Sequence, residues 1–350
     1  MNLANKTKQN PQLMSVSSKR INKLASRLAA MTVAIVIGST ASYSQDISGY
    51  GYLELPVSAR GLALGGTSIS VVEPEMSLAE QNPSLLCPEM AGQATISYTR
   101  YMGDVNLGYA AYAGRFLEVG GWSVGMRFID YGDFSGYDEQ GFSTGSFGVK
   151  DMSLQGAIGY PVNDKLRVGA QAKFLYTSYE SYSAFAMGVD LGLNYYNEAT
   201  GNSISLTATN LGGQFKALYE ERKEDLPTQI NVGWSSELQH LPLCVSVTAY
   251  HLLDWDHDYV DGSGAKHTFK NSEMVLNHLI FGVEWTASDY FWLAASYNYR
   301  NQRRFSGQGG FLRGVGLGAG VNYRQLAFMM AYASTHASDG TLTFQFNYTF

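Results

Sequence analysis

The residues of this chain best placed to do chemistry are serines, aspartates and glycines in short motifs. Gly-x-Ser-x-Gly occurs twice, as Gly121-Trp122-Ser123-Val124-Gly125 and as Gly141-Phe142-Ser143-Thr144-Gly145. In a hydrolase this pattern is a nucleophile elbow, which needs a sharp strand-to-helix turn. The first match lies inside an alternating run and the second in a polar connection, with no helical period after either. With 38 glycines in the chain, chance matches are expected, and no Ser, His and acid converge as a set. Gly314-Val315-Gly316-Leu317-Gly318-Ala319-Gly320 resembles a dinucleotide loop but lacks the helix whose N-terminus would take a phosphate. Its alternate glycines instead leave one side of a strand bare, making room for another part of the chain or allowing strong curvature. Asp254, Asp256 and Asp258 stand at i, i+2 and i+4, a spacing that can converge oxygens on calcium. The glycine comes late, at Gly262, and no glutamate closes the loop. A solvated acidic loop is the preferred reading, with a loop-bound Ca2+ as the alternative and no other cofactor expected.

What must position these residues is a series of strands. In the last ten residues Thr341, Thr343, Gln345, Asn347 and Thr349 alternate with Leu342, Phe344, Phe346, Tyr348 and Phe350. Successive side chains of a strand point to opposite faces, so this segment has one aromatic face and one uncharged polar face. About ten residues is the length at which a tilted strand crosses a bilayer. The pattern recurs. Trp122, Val124, Met126 and Phe128 oppose Ser123, Gly125 and Arg127, and Val315, Leu317, Ala319 and Val321 oppose four glycines. A closed barrel pairs every backbone group and can span lipid on so weak a hydropathy signal, so the mean hydropathy of −0.13 does not argue against a membrane.

Fourteen strands are expected, over 94–102, 105–115, 119–131, 147–160, 165–178, 183–196, 202–210, 228–238, 242–253, 276–287, 289–300, 312–324, 326–335 and 340–350. The even-numbered connections are short. The longest are all odd: Tyr131 to Ser146, Leu211 to Pro227, Leu253 to Val275 and Arg300 to Phe311. Outer-membrane barrels sort their connections this way, with short periplasmic turns and long external loops. The fold class is therefore all-β, a transmembrane antiparallel barrel. Its apolar face meets lipid, its long loops are extracellular and both termini are periplasmic.

Residues 1–44 carry Lys6, Lys8, Lys19, Arg20, Lys23 and Arg27 and no acid, then an apolar stretch from Leu28 to Gly38 and Ser42-Tyr43-Ser44. Basic, apolar, then small-x-small reads as a secretory signal peptide. Its removal leaves 18 Lys and Arg against 30 Asp and Glu, a charge near −12, which is unsuited to nucleic acid. Cys87 and Cys244 stand far apart with no cysteine framework around them. Two unpaired side chains are preferred over a periplasmic disulfide.

Residues 45–90 do not alternate. They hold Leu55-Pro56-Val57-Ser58-Ala59-Arg60, then Ala63-Leu64-Gly65-Gly66, then Asn82-Pro83-Ser84-Leu85-Leu86. Gly65 and Gly66 permit a tight turn, and Asn82-Pro83 starts another. This segment is expected to fold into the lumen as an N-terminal plug, dividing the chain into 1–44 signal peptide, 45–90 plug and 91–350 barrel. Arg127, Arg167, Lys173 and Glu284 fall on luminal positions and are candidates to pair with Glu73, Glu75 and Glu80.

These plug elements resemble those of the PorQ-like family, outer-membrane components of the type IX secretion system built like the FadL fatty-acid transporters. The resemblance continues through Asp130-Tyr131-Gly132-Asp133-Phe134, Asp138-Glu139-Gln140-Gly141, Leu226-Pro227 and Phe281-Gly282-Val283-Glu284. The family usually reads Asn-Pro-Ala where this chain has Ser84, which is small enough for the same place. The resemblance implies a non-enzymatic barrel that anchors a PorZ-like surface partner, in a complex attaching secreted cargo to lipopolysaccharide. Its other contacts would be the remaining attachment-complex members and outer-membrane lipid. Candidate partner-binding positions in the external loops are Phe134, Tyr137, Asp138, Phe215, Tyr219, Trp255, Asp256 and Asp258. The FadL-like build leaves a second reading, a transporter of hydrophobic small molecules. It would need an apolar pocket near the outer mouth, for which Phe134, Tyr137, Phe142 and Phe215 are candidates.

Overall fold

A computed structural model of the protein describes residues 49–350, apart from 139, 141, 219–222, 256–257, 261–265, 269, 305–311 and 336–339. The strands are β1 (Gln93–Met102), β2 (Val105–Phe116), β3 (Gly120–Tyr137), β4 (Ser143–Pro161), β5 (Leu166–Tyr179), β6 (Tyr182–Asn197), β7 (Asn202–Lys216), β8 (Gln229–Glu237) and β9 (Leu243–Ala249). They continue with β10 (Asp258–Val260), β11 (Lys266–Thr268), β12 (Leu279–Ser288), β13 (Phe291–Asn298), β14 (Val315–Tyr323), β15 (Leu326–Ala333) and β16 (Thr341–Thr349). Fourteen of them close into one antiparallel barrel, and β10 and β11 form a separate hairpin. The seam joins the first strand to the last, from Gln93 opposite Thr349 to Arg100 opposite Leu342.

Closure explains the alternation. On β16, Thr341, Thr343, Gln345 and Asn347 are at most 4% exposed, whereas Phe344 and Phe346 are 37% and 45% exposed on the outside. Polar side chains face a filled lumen, and aromatics face what would be lipid. Connections at one rim, 117–119, 162–165, 198–201, 238–242, 289–290 and 324–325, are all short, and the long ones are at the other.

Several regions depart from the expected strands. Residues 131–146, read as a loop, are largely strand, because β3 and β4 pair on past the wall to Tyr137 opposite Ser143, through a register shift at Asp130 and Asp133. Local alternation breaks at that shift, which hides the continuation. The 253–275 connection contains β10, β11 and the start of helix Asn271–Asn277, and helix Tyr299–Arg304 takes the end of the expected 289–300 strand and the first residues of the expected 300–311 loop.

The segment before β1 holds two short α-helices, α1 (Ala59–Ala63) and α2 (Met76–Ala79), and three single 3-10 turns. It lies against the inner faces of the wall. Gly49 donates to Glu224 Oε2 in the β7–β8 connection at 2.8 Å, at the long-connection rim. Gly92, at the segment's other end, accepts from the Phe350 amide at 3.0 Å, at the short-turn rim. The segment therefore crosses the lumen from rim to rim. Both termini were expected at the short-turn rim. Phe350 is there, and Gly49, the first described residue, lies at the opposite one.

Candidate functional site

The luminal segment and the wall it touches share a network of buried polar contacts. Its first foundation is bare backbone. Gly121, Gly159, Gly169 and Gly192 lie opposite one another across β3, β4, β5 and β6. A Cβ on Gly169 would fall on the Pro83–Ser84 peptide, one on Gly192 on the Asn82 side chain, one on Gly159 at 2.7 Å from the carbonyl oxygens of Pro83 and Leu86, and one on Gly121 at 2.9 Å from the Cys87 amide. The Asn82-Pro83-Ser84-Leu85-Leu86 turn thus rests on a row of glycines. Asn82 shapes the turn, accepting from the Ser84 amide at 3.1 Å and hydroxyl at 2.6 Å while donating to the Ile69 carbonyl at 2.7 Å.

A second seat receives α1. A Cβ on Gly318 would meet Ala63 Cβ at 2.5 Å, and one on Gly316 the carbonyls of Leu62 and Ala63 at 2.9 and 3.0 Å. The bare side of β14 seen in the sequence is this seat. Ala59, Leu62, Ala63 and Leu64 pack there with Trp292, Ala294, Met329 and Ala331. The helix ends on Gly65 and Gly66 at φ of 98° and 96°, left-handed geometry that favours glycine. The Gly66 amide returns to the Gly61 carbonyl at 2.9 Å, which closes the helix end.

Charge supplies the second foundation. Arg60, from α1, is 5% exposed and stacks 4.6 Å above the Trp292 ring. It contacts Glu75 at 2.9 Å, Glu284 at 3.3 Å and Glu73 at 3.4 Å. Burial alone would lower its pKa, but Glu284, Glu75 and Glu73 raise it above the ordinary arginine value. Arg127, on β3, donates to Glu80 at 2.6 Å and to the Tyr52 carbonyl at 2.7 Å. Gln345, from the terminal strand, accepts from the Ala59 amide at 2.8 Å and donates to Ser77 at 2.9 Å and Glu75 at 3.1 Å.

Of the expected luminal pairings, Arg127 with Glu80 is present. Lys173 pairs within the wall instead, with Asp190 at 2.7 Å and Asn210 at 2.9 Å, because a bulge puts Asn210 at φ 58° beside it. Glu284 and Glu75 share Arg60, a residue the sequence reading passed over. Its signal was present: a lone arginine among small apolar residues, in a segment otherwise rich in acids.

The loop candidates scatter. Phe134 stacks on Phe147, whose ring lies 5.2 Å from Tyr179. Leu175 is buried against the luminal Tyr50 and Tyr52, so by alternation Thr177 and Tyr179, with their register partners Asp151 and Val149, also face inward. Phe147 continues that side of β4 and faces Phe134 across β3. The three rings therefore line the inner side of the tall rim. Tyr137 is exposed at the end of β3. Asp138 is a turn cap, its carboxylate accepting from the amides of Gln140 and Phe142 at 3.0 and 2.8 Å. Phe215, read as a loop aromatic, lies on β7 and stacks on Phe185. Its face is the outer one, since Ala184 and Ala186 on either side of Phe185 are buried inward. With Tyr176 5.1 Å from Phe185, these rings form part of an aromatic girdle. Trp255 lies 4.3 Å from the His278 ring. Asp254 pairs with Arg300 at 3.0 Å, and Asp258 opens β10. Tyr219 and Asp256 lie outside the described residues. No group of three or more potential metal ligands occurs among the described residues. Ser123 sits within β3 and Ser143 opens β4, so neither occupies an elbow. Cys87 and Cys244 are free, and burial pushes the Cys87 thiol up to about 12.

No family model matches the chain, and no curated protein does. Among solved structures, the CymD monoaromatic hydrocarbon channel is similar at a TM-score of 0.51 and 11% identity, over 86% of this chain and 99% of that one. The Pseudomonas putida toluene transporter TodX gives 0.47 and 13%, over 86% and 97%. A Pseudomonas aeruginosa FadL homologue gives 0.45 and 11%, over 83% and 98%. The likeness to CymD is one of fold, a closed antiparallel barrel of the outer-membrane type.

Proposed function

We propose that this protein is an outer-membrane barrel that admits hydrophobic small molecules, with residues 49–92 as the plug that gates them. The observation that carries the reading is the inward aromatic cluster of Phe134, Phe147 and Tyr179 on the tall rim, above the plug's Tyr50 and Tyr52. Aromatic walls with few polar groups are what small apolar ligands bind. CymD, which shares the fold, is a monoaromatic hydrocarbon channel. In this reading the long-connection rim faces outward and the plug moves before a ligand passes. Binding of naphthalene to the purified barrel tests it. Burying a phenylalanine contributes about 1.5–3 kcal/mol, so the double variant Phe134→Ser, Phe147→Ser should bind about ten- to a hundredfold more weakly. Equal affinity in both proteins counts against the reading.

A second reading is that the barrel is the docking base for a PorZ-like surface protein in cargo attachment. The β3–β4 hairpin favours it. Its strands run 18 and 19 residues, roughly twice the ~9–11 needed to span, and carry the exposed Tyr137 and Phe142 near the tip. Shortening the 253–275 or 217–228 connection should then release the partner while the barrel still inserts. A partner retained by both variants removes this reading.

A further inference from the structure

The outer wall is not uniformly convex. A groove of about 600 Å³ runs across it from Leu243 on β9 to Tyr332 on β15, lined by apolar side chains. Its origin is in the sequence. Rows of large outward side chains are interrupted by alanine, at Ala295 between Val283 and Leu317 and at Ala319 between Leu293 and Met330. The sides are Trp285, Leu293, Leu317 and Tyr332, and Ala295 and Ala319 make the floor. Behind the floor, the bare face of Gly318 is already filled by Ala63 of α1, so the groove opens only to the outside.

We propose that this groove holds one acyl chain of a phospholipid. Its lining offers no charged or hydrogen-bonding partner at depth, and a polar occupant would be costly there. From β9 through β12, β13 and β14 to β15 there are four strand spacings, about 19 Å in all. That matches an acyl chain confined to a half-bilayer of about 15 Å and lying aslant across tilted strands. A chain laid in the groove is contacted on three sides, where a chain on plain wall is contacted on one. Dispersion contacts scale with that number, so this lipid leaves more slowly than its neighbours.

The test reconstitutes the barrel with palmitoyl-oleoyl phosphatidylethanolamine, exchanges it into detergent and counts retained lipid by native mass spectrometry. The wild type should keep a single lipid. The double variant Ala295→Leu, Ala319→Leu fills the floor from the outside and should retain at least tenfold less, and Ala172→Leu on the opposite wall should behave as wild type. Equal retention by the groove variant, or no retention by the wild type, overturns the proposal. If the double variant fails to insert, chain-brominated phosphatidylethanolamine added to the wild type decides. Slowly reversible quenching that is lost in Trp285→Phe supports the groove, and quenching that reverses as fast as at Trp234 sinks it. The naphthalene assay is independent, so failure of one does not entail failure of the other.

Discussion

Replacing Arg60 with methionine should release the luminal segment from β12–β16. The guanidinium is the cation shared by Glu75, Glu284 and Glu73, at 2.9, 3.3 and 3.4 Å. Glu75 and Glu284 have side chains 5% and 2% exposed, whereas Glu73 is 36% exposed. Removing one partner of a buried ion pair typically costs about 3–5 kcal/mol, because the remaining charge stays buried without compensation. The cation–π contact with Trp292 adds to that loss. At about 1.4 kcal/mol per decade, the released population should rise roughly 10²–10⁴-fold. Hydrogen exchange of the amides of residues 59–79, in detergent at constant pH, reads that population directly. Three outcomes are linked. Arg60→Met should speed exchange by that factor. Arg60→Met combined with Glu284→Gln should recover part of it, with a coupling of about 0.5–3 kcal/mol. Glu73→Gln alone, at the wetter contact, should shift exchange by less than about 1 kcal/mol. Exchange in Arg60→Met within threefold of wild type would refute the view that this cluster latches the segment. A Glu73→Gln effect as large as that of Arg60→Met would refute the assignment of the energy to the buried carboxylates.

Further outcomes follow from the same geometry. Gly169→Val should drive a side chain into the Pro83–Ser84 peptide and destabilise the seated segment by about 1–3 kcal/mol or more, read as new protease cleavage within 49–92. Gly156→Val, with open space around it, should not. Asn82→Ala should leave the Ile69 carbonyl and Ser84 without their partner and cost about 1–3 kcal/mol, visible as a lower thermal transition. Gly51 is exposed with nothing within 4 Å. In a Cys244→Ala background, Gly51→Cys should react with an impermeant maleimide on intact cells, while Cys87, its thiol raised to about 12, stays silent because the thiolate is the reactive form. Labelling only after the outer membrane is breached would reverse the orientation of the barrel.

The two-residue period of Leu342 to Phe350, repeated in thirteen other runs, by itself calls for a closed barrel. A strand with one aromatic and one uncharged polar face has few other stable environments, and the parity of connection lengths ordered the rims. Glycine-rich faces such as Gly314 to Gly320 announced that something lies close to the inner wall. Which something was decided by tertiary structure. The row Gly121, Gly159, Gly169 and Gly192 is scattered over more than seventy positions of sequence and becomes one seat only when four strands adopt a common register. Arg60 meets Glu284 across 224 positions, and no local pattern encodes a pairing at that separation. The bulges at Asp130 and at Asn210 shift which face each following side chain takes, so Phe215, which follows Asn210 on β7, falls on the outer girdle. Alternation is a local property of the backbone and can be read from the chain alone. Register and the path of a luminal segment depend on contacts between distant residues, and they exist only once the barrel has closed.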